Sequence, residues 1–388
     1  RSGDEELFKA RAREDGSVKL IDVVRAKLDT KNDRYVAELP SLTLNSIQIA
    51  DHLVRENERM LTDGFYAEVT LEYDAILAEE TKGLPFRIPS LRPIQMSNPD
   101  VLGALAKARN DFTAEEWRDF LIRSIGLEPS ELDEDAQRVV LLRMIPFVER
   151  NYNLVELGPR GTGKSHIYQQ ISPYSHLISG GKVTVAKMFV NNSSGQRGLV
   201  CHYDVVCFDE VSGVSFDSKD GVNIMKGYME SGEFSRGKES IRAEGGVVMV
   251  GNFDVDVQQQ QRIGHLFSPL APEIRDDTAF HDRIHAYAPG WDFPKLNPAD
   301  HLTDHFGLVS DFLSECWSRL REQSRASVVQ DRVYWGGALN GRDINAVQKT
   351  MSGLTKLLFP DPDMPIADDD MEWMVRLALE SRRRVKEQ

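Results

Sequence analysis

Gly158-Pro159-Arg160-Gly161-Thr162-Gly163-Lys164-Ser165 is a complete G-x-x-x-x-G-K-S phosphate loop. The apolar segment Leu154 to Leu157 runs straight into it, and a helix-compatible stretch, His166 to Ile171, follows. Strand, glycine loop and helix in that order turn a pattern into a physical site. The glycines let successive backbone N–H groups point at one anion, and the helix N-terminus adds its partial positive charge. Lys164 is expected to reach the β- and γ-phosphates of a bound nucleotide, and the Ser165 hydroxyl to ligate Mg²⁺.

Two further apolar runs end in polar residues. Tyr203 to Phe208 ends in Asp209-Glu210, which has the form of a Walker B strand about 45 residues after the loop. Asp209 is expected to hold Mg²⁺ directly or through water, and Glu210 to polarise the attacking water as general base. Val247 to Gly251 ends in Asn252, whose amide can donate to the γ-phosphate or the water; a plain turn is the alternative. Three such strands suit a parallel sheet, in which ligands gather at the carboxyl ends.

Between the second and third strands, Gly221 to Gly232 places Ile224, Met225, Tyr228 and Met229 on one helical face. Phe234 to Arg242 then reads as two short strands around Gly237, with Arg236 and Lys238 near the tip. Such a hairpin suits either contact with phosphates in a pore or a solvated charged surface. Arg283 lies among apolar and small neighbours, and an arginine keeps its charge and binds phosphate bidentately, as a finger offered to a neighbouring subunit must. Arg275 and Arg262 compete for that role. Arg342 opens a helix with the apolar stripe Val347, Met351, Leu354 and Leu358, at a place suited to contacting nucleotide or to plain solvent exposure.

Ahead of the loop, residues 1 to about 80 read as mostly β. Val18–Val23 and Tyr35–Leu39 flank a turn at Asp29–Asp33, and Phe65–Tyr73 alternates with period two. Ile47 to Leu61 has helical spacing. The module suits a small barrel, with an assembly role and nucleic-acid binding both open. Gly83 to Pro99 carries Pro85, Pro89, Pro93 and Pro99 and reads as a linker. Thr113-Ala114-Glu115-Glu116 is a capping box before Trp117, Phe120, Leu121 and Ile125, and a second helix spans Asp133 to Glu149. The expected division is residues 1–82 as β-rich module, 83–150 as linker and helical segment, 151–325 as α/β core and 326–388 as helical lid.

The 388 residues allow two or three domains, and 41% hydrophobic with 28% charged residues describes an ordinary soluble chain. No apolar run approaches the roughly 20 residues that cross a bilayer, and no secretory segment is seen. Cys201, Cys207 and Cys316 lack metal-ligand spacing and suit a reducing compartment, so the reading is cytoplasmic, without structural zinc or membrane attachment. A net charge of −14 argues against a uniformly basic polyanion binder, but not against a ring that repeats a few cations in one channel. The chain opens on Arg1, and Ser381 to Gln388 reads as a helix cut short, the marks of a fragment.

Taken together these residues resemble an AAA+ ATPase of the branch with a hairpin before sensor 1. The stretch from Met229 through Arg236 and Lys238 to Asn252 is similar to minichromosome-maintenance helicases. Asn153 to Ser165, Leu177 to Lys182, Asp204 to Val211 and Ala286 to Trp291 resemble the Lon-like BrxL family of BREX bacteriophage-defence systems, and the likeness runs from about Val18 to Pro360.

That resemblance implies an α/β AAA+ P-loop core with a C-terminal helical lid, in a ring of six or a stacked double ring that binds duplex DNA. It implies Asn252 as sensor 1, Arg283 as arginine finger, Arg342 as sensor 2 and the hairpin as a DNA contact, with other BREX proteins as further partners. An ATP-switched scaffold or protein-remodelling subunit is the rival function. Relatives carry a protease-like domain after the ATPase and a helical segment before the β-rich module. Both are expected to be missing here, which puts proteolysis outside this chain's reach.

Overall fold

The computed structural model describes residues 4–386 apart from 31, 63, 77–83, 95–99, 192–196, 217–218, 237–238, 254 and 264. The chain divides into two units, Arg1–Pro99 and Asp100–Gln388.

In the first unit five strands close a barrel: β1 (Ser17–Asp29), β2 (Arg34–Leu39), β3 (Leu44–Ile49), β4 (Phe65–Tyr73) and β5 (Phe86–Pro93). The order β1-β2-β3-β5-β4, with β3 parallel to β5 and a helix between β3 and β4, is the OB arrangement. β1 is long enough to pair with β4 along its first half and β2 along its second, which closes the sheet on itself. Alternation sends Leu20, Val24 and Ala26 inward; Asp22 also points in, and its carboxylate accepts from Ser41 N, Ser41 Oγ and Val23 N.

Three expectations change in this unit. The stretch read as a linker contributes β5. Phe86 and Ile88 face the core while Arg87 and Pro89 face out, and Pro89 falls where the register with β4 shifts, a place that tolerates a missing N–H. Within 47–61 only Asp51–Glu56 is α-helical, because Ile47 and Ile49 alternate inward on β3. A helix does precede the barrel, Asp4–Asp15, with Ala12 packed into the barrel core.

The second unit carries a parallel sheet in the order β12-β6-β11-β8-β7, formed by β6 (Leu154–Gly158), β7 (Ser175–Val183), β8 (Val205–Phe216), β11 (Gly246–Asn252) and β12 (Ala286–Pro289). Strands β6 and β11 sit inside the sheet, which explains their near-continuous apolar runs. The hairpin β9 (Glu233–Arg236) and β10 (Glu239–Arg242) forms a separate antiparallel pair. One core cluster joins the sheet to helices Ala114–Ser124, Glu134–Val148, Ser310–Leu320, Gly341–Leu358 and Asp368–Lys386. The capping box at Thr113 and Glu116 is formed, and a second one, Asn340 with Asp343, opens Gly341–Leu358. Val347, Met351, Leu354 and Leu358 are buried, as their spacing requires. Among the described residues no helix is long and apolar enough to cross a membrane.

The strand that carries Asp209-Glu210 differs from its expected form. β8 does not stop at Asp209 but continues through Glu210 to Phe216, with a register shift against β7 between Ser179 and Gly181. Four residues, Glu210 to Gly213, lie between the paired Asp209 and Val214 where β7 has Gly180 alone, and Glu210 opens this bulge at φ 49, the left-handed region that costs a non-glycine residue roughly 1–3 kcal/mol.

Candidate functional site

The phosphate loop joins β6 to the helix Lys164–Gln170. Gly161 and Gly163 adopt φ 82 and 70, conformations that suit glycine, and at Gly163 a Cβ would lie 2.7 Å from Leu296 Cδ1. Leu296 N donates to Gly161 O at 2.8 Å, tying the loop to the segment after β12. Lys164 is buried, and its Nζ donates to Pro159 O at 2.5 Å and Thr162 Oγ1 at 3.2 Å, so the cation sits within the loop. Burial lowers its pKa, and Glu156 opposes that shift.

Register brings the other two polar ends to the same edge. Asn252 pairs with Gly158 across β11 and β6, and Phe253 N donates to Gly158 O. Met249 pairs with Phe208, so Asp209 and Glu210 lie at the same end of the neighbouring strand. The Glu210 N–H donates to Asp209 Oδ1 at 2.9 Å, and Glu210 is exposed. Glu210, Asn252, Arg160 and Arg275 line a cleft of about 550 Å³.

The donor set fits nucleotide and Mg²⁺. A Mg²⁺ ion bridging phosphates needs only one or two protein oxygens and keeps several waters, which Ser165 Oγ and Asp209 can supply. Among the described residues no cluster of three or more His, Cys, Asp and Glu is arranged to hold a metal by itself.

Arg283 and Arg342 lie elsewhere. Arg283 Nη2 pairs with Glu230 at 2.8 Å. Arg342 grips the same carboxylate through Nε at 2.8 Å and Nη2 at 2.9 Å, and its Nη1 reaches Asp282 at 2.8 Å. These bonds hold the Arg342 guanidinium firmly protonated. Asn153 Nδ2 donates to both Met229 O and Arg283 O, which fixes this cluster at the amino end of β6. Gly158 is five residues further on, about 16 Å of extended strand. The helix start that carries Arg342 thus lies at the opposite end of the sheet from its own chain's glycine loop. Of the two competitors, Arg275 shares the cleft with Glu210 and Asn252, while Arg262 is exposed on the helix Val257–Ile263. Arg236 closes β9, and Lys238 lies outside the described residues.

Sequence reading missed a buried ion pair. Arg143 donates to Glu156 through Nε at 2.8 Å and Nη2 at 2.6 Å, and its guanidinium lies 4.3 Å from the centre of the Phe293 ring. Glu156 is fully buried two residues before Gly158. The signal was a charged residue inside an apolar strand.

A parallel sheet with its glycine loop, acidic pair and asparagine at one edge defines an ATPase domain of the P-loop class. The family model described as "Lon-like protease BrxL-like, ATPase domain" matches residues 86–388, and "BREX system Lon protease-like protein BrxL N-terminal" matches residues 1–73. The chain belongs to the BrxL family. It is 45% identical to a Lon-like protease BrxL of Bacillus cereus (strain H3081.97) over 389 residues, all of this chain and 57% of that relative. It is 44% identical to a Lon-like protease BrxL of Escherichia coli O9:H4 (strain HS), again over all of this chain and 55% of the relative. The chain thus spans just over half the length of these relatives.

Proposed function

We propose that this chain is the ATPase portion of a ring-forming AAA+ motor, six-membered or a stacked double ring, that works on duplex DNA in bacteriophage defence. The observation that carries the reading is the separation of two halves of one chemistry. Lys164, Glu210 and Asn252 gather at the carboxyl ends of the strands, whereas Arg283 and Arg342 gather at the amino ends. Arginines that far from their own loop serve a loop on another copy, and a head-to-tail contact of that kind closes into a ring when its rotation allows.

In this reading Gly158 to Ser165 cradles the triphosphate, and Glu210 takes the proton from the attacking water. Asn252 orients that water, while Lys164 and the neighbour's Arg283 and Arg342 stabilise charge on the transferring phosphoryl group. Ser165 and Asp209 would hold Mg²⁺, which would supply charge neutralisation for the nucleotide's phosphates. Glu230 keeps both arginines paired and oriented in each copy. Residues 326–388 serve as the helical lid. The hairpin β9–β10, carrying Arg236 and Lys238, grips DNA in the pore, where repetition around the ring concentrates cations in a protein of net charge −14. Other BREX proteins are the expected further partners.

The test is ATP hydrolysis with and without duplex DNA, beside Lys164→Ala and Glu210→Gln controls. Stimulation that disappears when Arg236 and Lys238 are both changed to Glu supports the motor. A ring that hydrolyses ATP yet ignores DNA favours an ATP-switched scaffold instead.

A further inference from the structure

Arg275 ends the short helix Pro272–Arg275, whose Ala271 and Ile274 are buried and which packs against β8 and the helix Lys219–Ser231. Its Nε and Nη2 both donate to Leu270 O at 3.3 Å. Two carboxylates follow it directly in sequence, yet both are turned elsewhere: Asp276 faces His265 at 3.3 Å and Asp277 pairs with Lys226 at 2.8 Å. Among the described residues Arg275 has no carboxylate partner, unlike Arg283, Arg342 and Arg382. It is half-buried and lines the cleft that holds Glu210 and Asn252.

An arginine held by one carbonyl, left without a counter-charge and set beside a general base is poised for an anion. The anion that belongs between Glu210, Asn252 and the phosphate loop is the terminal phosphate of a nucleoside triphosphate. The geometry points to Arg275 as a catalytic residue acting in cis, its guanidinium reaching the γ-phosphoryl oxygens of the nucleotide bound by the same chain. This rests on the hydrolysis reading above and changes one part of it. Arg275, weighed from sequence as a finger for a neighbour, becomes the arginine of the home site, while Arg283 and Arg342 come from the next copy. Within the home chain, Lys164 meets the charge spread over three equatorial phosphoryl oxygens as a point charge, and Arg275 would add a planar, bidentate donor beside it.

The experiment uses the full chain and pairs of inactive variants mixed before assembly. Arg275→Ala is expected to lower kcat about 100-fold or more, with Tm and binding of a non-hydrolysable ATP analogue little changed. Arg275→Lys recovers only part of the rate. A residue that merely caps Leu270 O would lower Tm and leave kcat near wild type, and that result overturns the proposal. Mixed with Lys164→Ala, Arg283→Ala should regain about a quarter of the wild-type rate, since random mixing completes that share of interfaces. Arg275→Ala mixed with Lys164→Ala should regain nothing, because neither copy then has an intact home site. Recovery in that second mixture overturns the cis assignment. Failure of the Arg283 mixture alone counts against the interfacial site, and the kcat of Arg275→Ala together with the second mixture still decides the cis role.

Discussion

Replacing Arg143 by Met probes how the phosphate loop is held up. The change leaves the Glu156 carboxylate, fully buried on β6, without either of its two charged hydrogen bonds. Breaking a buried pair from one side costs about 3–5 kcal/mol, because the remaining charge has neither water nor partner. At roughly 2–4 °C per kcal/mol for a large domain, the melting temperature of the ATPase unit should fall by about 6–20 °C. The double change Arg143→Met with Glu156→Leu removes both charges at similar volume and should return most of that loss, since a packed apolar pair is often as stable as a buried ion pair. Because Glu156 lies two residues before Gly158, ATP-analogue affinity should follow the same order: weakened in the single variant, largely restored in the double. Thermal melting followed by tryptophan fluorescence, with analogue binding measured alongside, reads both. A single variant melting within about 2 °C of wild type, or a double variant no better than the single, would refute the strut.

Two further outcomes follow from local geometry. Glu210→Asn should abolish hydrolysis yet raise stability by about 1 kcal/mol, since Asn tolerates the left-handed backbone at φ 49 better than Glu; calorimetry beside a turnover assay checks it. Glu128 is held down to about 2, chiefly by its hydrogen bond from Arg123, with Thr303 and Ser130 also donating. Its folded pKa lies below the ordinary 4.5, so its stabilisation is full above pH 4.5 and fades as pH falls towards 2. Glu128→Gln should therefore flatten the acid limb of a Tm-against-pH curve in that window, and an unchanged limb would contradict the assignment.

What could be read from sequence was what local chemistry dictates. The glycine loop, the apolar runs of β8 and β11 and the capping box at Thr113 each depend on a few adjacent residues. What could not be read depends on distant pairing. The prolines of 83–99 looked like a linker because the shifted register that accommodates Pro89 belongs to β4, not to the segment itself. The continuation of β8 past Glu210 is drawn out by its pairing with Gly181 to Val183 on β7. Nothing near Arg342 says which end of the sheet its helix start will reach; Glu230 and Asp282, more than fifty residues away, decide that. Arg275 was visible as an arginine of interest, but only the packing of its short helix on β8 showed which site it faces.

If one catalytic site is built from two copies, Arg342 is the residue that reveals it, because its guanidinium is fixed to Glu230 and Asp282, far from its own loop. Lys164→Ala and Arg342→Ala proteins, each inactive alone, should regain ATP hydrolysis when assembled together, since one copy brings the loop and the other the arginine. A mixture that forms rings and binds nucleotide but stays as inactive as its components would contradict the account.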